Sequence, residues 1–341
     1  MTAIRTTKLL AGVALAAFAT TSLAQAQSPS EIARDGLPLQ YVKRIQEHQK
    51  NLLSLDDTDQ SRGFYSTMVV WPPTYPKLRV CFFAGSKELR AKIAKTATDW
   101  MRPELGIKFD FGKMDNPRMC DAAGGRENQI RVSFDKPGYW SQLGQFAVQY
   151  TKQEEASMNF EGFDKIPPDQ LSDYAIGTIR HEFGHSLGLL HEHQSPEGGC
   201  DKEYNWNFVY EYLQGPPNNW NKEQIDFNLK PFYGEDLMMS DFDKTSVMLY
   251  QFPDKYYING AQSKCYVPEP NDTISQVDRA VVAYMYPAEA ASRMQHFEEN
   301  KAKFEALWNA PKAEGKKGVM IDMVKAFYGS AGTANDPDDG K

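Results

Sequence analysis

Four of the chain's six histidines (His181, His185, His191 and His193) fall within thirteen residues. His181 and His185 are four apart, a spacing that stacks both imidazoles on one face of a helix, one turn apart. Two neutral imidazoles placed in this way can share one zinc ion at about 2.0–2.1 Å each. Glu182 lies beside them in a His-Glu-x-x-His arrangement. Zinc lowers the pKa of its water to about 7, and a neighbouring carboxylate can then take that proton. A catalytic zinc needs a third protein ligand and one open position. His191 comes six residues after His185, with Gly188 between them where the helix must stop and the chain must turn back. Glycine alone adopts the left-handed conformation of such a turn cheaply. The pattern predicts His181, His185 and His191 as ligands of one zinc ion and Glu182 as the general base of a hydrolysis. His193 is expected to be exposed or to stand behind the ligands rather than to bind. His48 and His296 carry no site argument.

The elements that must position these groups can be read around them. Ser172 is a suitable helix cap and Asp173 favours the first turn; Ala175, Ile176, Ile179 and Phe183 make an apolar face. Upstream, Lys77 to Phe83 reads as a strand and Lys87 to Met101 as a helix capped by Ser86 and closed before Pro103. Ile107 to Phe111 and Asn128 to Phe134 read as strands, and Ala156 to Phe160 as a short edge strand. That order implies an α/β half-domain with a mixed sheet. Downstream the chain is rich in loops. Helices are predicted near Trp206 to Tyr212, Lys222 to Leu229 and Gln276 to Tyr286, and Thr245 to Tyr250 is turn-like. A surface helix is expected over residues 288–310, with Met294, Phe297, Phe304, Leu307 and Trp308 inward. Val319 to Phe327 is one more candidate helix, and the small, acidic tail is expected to be disordered.

The chain has 341 residues, 41% hydrophobic and 24% charged, enough for one large domain or two modest ones. A formal net charge of −7 argues against a nucleic-acid partner. Residues 1–26 have the pattern of a secretory signal peptide: Arg5 and Lys8, an uncharged run from Leu9 to Leu23, then Ala24-Gln25-Ala26. Losing Arg5 and Lys8 takes the formal charge from −7 to −9. No later stretch is apolar enough to span a bilayer, so a secreted or periplasmic protein is expected, with no membrane attachment after cleavage. An even set of four cysteines in an exported chain suggests two disulfides. Of the three possible pairings, Cys81–Cys120 with Cys200–Cys265 keeps each bridge within one half of the domain. Zinc ligation by cysteine is not expected, since no Cys-x-x-Cys occurs and the histidines offer a better site. Residues 27–62 are polar with one helical pattern (Leu39, Val42, Ile45, Leu52, Leu53). This segment reads either as a helix packed on the domain or as a pro-segment that blocks the site.

The pattern His181-Glu182-x-x-His185-x-x-Gly188-x-x-His191, followed by Ser246-Val247-Met248-Leu249-Tyr250, resembles the metzincin superfamily of zinc endopeptidases and its Met-turn. Glu192 directly after His191, together with the Ser-x-Met-x-Tyr form of the turn, is most similar to the astacin branch. The resemblance covers roughly residues 70–288. It implies an α+β fold: a mixed twisted sheet with an edge strand, two long helices and an irregular C-terminal subdomain. It also implies protein or peptide substrates, Met248 as a hydrophobic floor beneath the zinc, and Tyr250 as a catalytic group that ligates the resting metal and hydrogen-bonds the tetrahedral intermediate. Ala156 to Phe160 looks like the edge strand that pairs with an extended substrate. The segment from His193 to Cys200 departs from the Arg and Asp pattern of that branch and looks more like bacterial relatives. The family's Phe-x-Gly-Asp switch does not occur before residue 70, so Glu192 is read as structural. The domains are then a signal peptide at 1–26, an extension or pro-segment at 27–69, a peptidase domain at 70–288 and a helical extension with a tail at 289–341. Two other readings stay open. One is a zinc-bearing binding or toxin-like module that has lost proteolysis. The other is a thermolysin-like site with Glu203 or Glu211 as third ligand.

Overall fold

Leu78, Val80 and Phe82 all turn into the core, and they make Lys77–Phe82 (β1) an inner strand of a sheet. In chain order there follow a helix Lys87–Ala97 (α1), strands Lys108–Asp110 (β2), Gly112–Lys113 (β3), Asn116–Pro117 (β4), Ile130–Ser133 (β5) and Tyr139–Ser141 (β6). A short helix Phe146–Gln149 (α2), strand Met158–Phe160 (β7) and helix Asp173–Ser186 (α3) complete the first half. Helices Trp206–Gln214 (α4), Lys222–Leu229 (α5), Gln276–Met285 (α6) and Ala290–Trp308 (α7) follow. This is a computed structural model, and it describes residues 38–44, 69–121, 127–216, 218–231 and 242–308. The expected signal peptide, the candidate helix at Val319 to Phe327 and the acidic tail lie outside the described residues. Among the described residues no helix is long and apolar enough to cross a membrane.

The sheet order is β2-β1-β5-β7-β6. β1 pairs in parallel with β2 and β5, β5 in parallel with β7, and β6 runs antiparallel outside β7. This corrects one expectation. Ala156 to Phe160 is not the edge; its strand Met158–Phe160 lies one place in, and Tyr139–Ser141 is outermost. Asn159 explains how this inner position is held. Its amide donates to the carbonyls of Lys136 and Gly138 (2.8 and 2.6 Å) and accepts from the Ser133 hydroxyl (2.7 Å), which clips the antiparallel return onto β7.

Ser86 caps α1 as expected, but the helix stops at Ala97 and a 3₁₀ turn over Thr98–Trp100 carries the chain on. α3 packs on the sheet through Phe183, edge-to-face against Phe109 at 5.0 Å. Arg180, on the other side of α3, donates twice to Asp99 (2.9 and 2.7 Å) and once to the Asp272 carbonyl (2.6 Å). α3 is therefore held by apolar contact on one face and by a charged fork on the other. A second core in the C-terminal half gathers Tyr204, Val209, Leu213, Ile225, Leu229, Phe252 and Tyr256 around Cys200 and Cys265. Both expected disulfides are present, Cys81–Cys120 and Cys200–Cys265, with sequence separations of 39 and 65. Closing the longer loop stabilises the fold by about 4 kcal/mol in the chain-entropy account.

Two peripheral segments bear on the sequence reading. In the N-terminal extension, helical residues 39–44 pack on the domain: Tyr41 lies 5.3 Å from Trp140 of β6 and donates to the Ala156 carbonyl (3.1 Å). Arg44 pairs with Glu155 at 2.8 Å, and its hydrogen bond holds the Glu155 carboxyl down at about 2. On α7, Met294 is 47% exposed rather than inward, while Phe297 is partly covered. The side chains of Phe304, Leu307 and Trp308 lie outside the described residues.

Candidate active site

Ser172 accepts from the Ala175 N–H at 3.2 Å and starts α3; the helix then runs for fourteen residues and delivers His181, Glu182 and His185 on its last turns. Gly188 adopts φ +96°, and the Gly188 and Leu189 N–H groups bond back to the carbonyls of His185 and Gly184 (2.8 and 3.1 Å). That left-handed cap turns the chain so that His191 faces the two helical histidines. The indole of Trp71 and the hydroxyl of Tyr286 donate to the last carbonyls, Ser186 and Leu187 (2.8 and 2.7 Å). The helix end is thus satisfied from two distant segments.

The ligand-capable nitrogens of His181, His185 and His191 lie within 4.8 Å of one another. Each ring's Nδ1 meets an oxygen that can only accept: Val247 O for His181 (2.7 Å), Leu189 O for His185 (2.7 Å) and Gln194 Oε1 for His191 (2.9 Å). Each neutral ring therefore keeps its proton on Nδ1 and presents the lone pair of Nε2 inward. The Nε2 atoms of His185 and His191 approach to 3.0 Å. Two lone pairs at that distance repel unless a cation stands beside them, and ligands of one tetrahedral ion keep roughly 3.3 Å between them. Three imidazoles, each backed by an oxygen acceptor, are a donor set suited to zinc. The residues present fit the ion. Glu182, fully buried, lies on the same turn as His181. Of the thermolysin-like candidates, Glu203 accepts from the Lys264 N–H (3.0 Å) and the Ser263 hydroxyl, and Glu211 is exposed.

The turn at Ser246 to Tyr250 closes the site from below. Gly184 makes this approach possible, because a Cβ there would stand 2.5 Å from the Met248 sulfur and 2.9 Å from the Trp100 ring. Tyr250 is buried, with its ring centroid 4.2 Å from that of His191 and 5.7 Å from that of His181. Glu192 is half-buried beside the turn: its N–H donates to Met248 O (3.0 Å), and its carboxylate accepts from the Asp243 N–H (2.8 Å). Burial pushes the Glu192 carboxyl up to about 7. His193 is not exposed. It is 1% accessible, its Nε2 pairs with the Asn228 carbonyl (3.0 Å), and its ring stacks 4.7 Å from Tyr250.

Asp278 was not among the sequence candidates. It caps α6 in a capping box with Ser275 and is buried. The same carboxylate accepts from the Ser246 hydroxyl (2.6 Å) and the Val247 N–H (3.0 Å). Since Val247 O holds His181, Asp278 fixes that imidazole through the turn. The signal in the sequence was the Ser-x-x-Asp box; the second duty of the carboxylate is a contact 32 residues away. Asp278→Ala is expected to lower folding stability by on the order of 3 kcal/mol, because two buried donors lose a charged acceptor. Urea denaturation checks this, and an unchanged midpoint would remove Asp278 from the support of the turn.

A five-strand mixed sheet, a helix carrying two histidines, a glycine turn to a third and a methionine turn beneath them define a zinc metallopeptidase of the metzincin class. A solved structure of myroilysin is similar over 64% of this chain and 96% of that one, with 30% identity and a TM-score of 0.52. At that identity and coverage the chain belongs to the astacin-like metzincin family. A crystal structure of myroilysin gives 30% identity, 64% and 86% coverage and a TM-score of 0.45. The hatching enzyme zinc-protease of the medaka fish Oryzias latipes gives 16% identity, 62% and 90% coverage and a TM-score of 0.37. No family profile and no curated protein matches the chain.

Proposed function

We propose that this chain is an exported zinc endopeptidase in which His181, His185 and His191 hold one zinc ion and Glu182 is the general base. The observation that carries the reading is the set of three Nδ1–H groups, each spent on an oxygen acceptor, which turns three Nε2 lone pairs toward one point. Zinc, when bound there, supplies Lewis acidity toward the scissile carbonyl and acidifies water. Glu182 takes the proton of the attacking water and returns it to the leaving amine nitrogen. Its full burial removes competing solvent and strengthens each of these contacts. The Tyr250 hydroxyl donates to the oxyanion, and the ring packing against His181 and His191 holds it in place. The outermost strand, Tyr139–Ser141, is the sheet edge to which an extended substrate would add.

Export is supported by the signal-like pattern at 1–26 and by two disulfides among the described residues. Residues 70–288 form the peptidase unit, preceded by the extension at 27–69 and followed by the one at 289–341. The test is digestion of a peptide library by the purified chain, with products read by mass spectrometry. Internal cleavage that a chelator stops supports the reading. A zinc-loaded protein that leaves every peptide intact refutes it in favour of a binding module. Tyr250→Phe is expected to lower kcat about 10²-fold, with KM and bound zinc little changed. An unaltered kcat would return Tyr250 to the aromatic core.

A further inference from the structure

Gln194 lies three residues beyond the last histidine of the motif, in a single 3₁₀ turn formed by Glu192–Gln194, and it is 3% accessible. All of its polar capacity is used. Its Nε2 donates to the carbonyls of Phe227 (2.9 Å) and Lys230 (3.0 Å), both at the C-terminal end of α5, and its Oε1 meets Nδ1 of His191 (2.9 Å). Two carbonyl partners can only be satisfied by the NH₂ group, so the amide has one permitted orientation. Oε1 must then face His191, and His191 Nδ1 must be the donor. The tautomer of His191 therefore follows from two main-chain carbonyls more than thirty residues further along the chain.

The contrast with the other two histidines gives this arrangement its meaning. His181 and His185 are oriented by main-chain oxygens, Val247 O and Leu189 O. His191 alone of the three is oriented by a side chain, and that side chain is anchored on the C-terminal subdomain. The carbonyls of Phe227 and Lys230 stand among the last of α5, where a helix leaves its acceptors without intrahelical partners. Gln194 answers that need of α5 and the need of His191 together.

We infer that Gln194 is a positioning residue whose oxygen holds His191 in the Nδ1–H tautomer, while its NH₂ group separately secures the end of α5. This rests on the three-histidine site proposed above. It takes no part in the chemistry and touches none of the reacting atoms. Removing its oxygen frees the His191 ring to turn or change tautomer, and outer-shell partners of this kind typically account for 10–100-fold in metal affinity. Removing only its NH₂ group leaves the ring held but withdraws the donors from α5.

Two variants separate these duties. Gln194→Met keeps the side chain's length and loses both functions; Gln194→Glu keeps an acceptor for His191 and loses the donors. Zinc affinity is measured by competition with a chromophoric chelator, and the thermal midpoint is measured on metal-free protein. Gln194→Met is expected to bind zinc 10–100-fold more weakly. Gln194→Glu is expected to keep wild-type affinity within about threefold, while both variants melt below wild type without metal. Wild-type affinity in Gln194→Met overturns the inference, and so does an equal loss in both variants. Should Gln194→Met fail to fold, ¹⁵N NMR of histidine in metal-free wild-type protein at alkaline pH decides. A His191 ring protonated at Nδ1 is expected, and one protonated at Nε2 overturns the inference. A wild-type chain that binds no zinc defeats the function proposed above, which is a different result from either of these.

Discussion

Glu182→Ala is expected to lower kcat by about 10²–10⁴-fold while the protein keeps its zinc. The carboxylate is fully buried on α3, next to His181 and six residues before Gly188, and it is not one of the three converging histidines. Its loss removes the proton acceptor without removing a metal ligand. Burial matters to the size of the effect, because no bulk water stands ready to replace the base. The measurements are kcat on an internally cleaved peptide and zinc content on the same preparation. Full proteolysis by the variant would end the assignment of Glu182 as base. Joint loss of zinc and activity would make it a structural support of the metal centre.

Removing the metal is expected to abolish proteolysis altogether, and adding zinc to restore it. The same treatment should lower the thermal midpoint, because an ion that binds only the folded chain stabilises it by about 4 kcal/mol at a thousandfold excess over its Kd. The 3.0 Å approach of the His185 and His191 Nε2 atoms sharpens this expectation. Without a cation those lone pairs repel, so the metal-free chain must move a ring, take up a proton or lose stability. His191→Ala is expected to lose zinc where Glu182→Ala does not, which distinguishes a ligand from a base. Zinc retained at wild-type affinity in His191→Ala would reopen the choice of third ligand. Calorimetry with and without chelator, beside the activity assay, reads both effects.

Much of the site was legible because its geometry is local. An interval of four on a helix places two imidazoles together whatever the rest of the chain does. Gly188, five residues after the last apolar-face residue Phe183, ends the helix in a way that brings His191 back. The support around these residues was not legible. Asp278 was not singled out from the sequence, and its bond to Ser246 spans 32 residues. Gly184 looked like a neutral spacer in the motif until Met248 was seen against it. His193 read as either exposed or standing behind the ligands, and the fold chose the second, sealing it between Tyr250 and the Asn228 carbonyl. The strand at Ala156 to Phe160 was recognised as a strand but misplaced at the edge.

The methionine turn beneath the histidines came from the family resemblance; the sequence by itself determined the candidate ligand set, the carboxylate beside it and the turn that joins them. Each depends on intervals of a few residues, where helix pitch and glycine's freedom leave little choice. The cysteine pairing was also within reach, from the division of the chain into halves. The tertiary structure decided which strand is outermost, because a short apolar run has the same alternation at the edge of a sheet as one place in. It also decided which oxygen holds each imidazole. Val247 O, Leu189 O and Gln194 Oε1 are interchangeable as chemistry, and only the folded chain brings each to its ring. Side chains with a choice of partners take them from whatever the fold packs beside them, and that packing is set by contacts far apart in sequence.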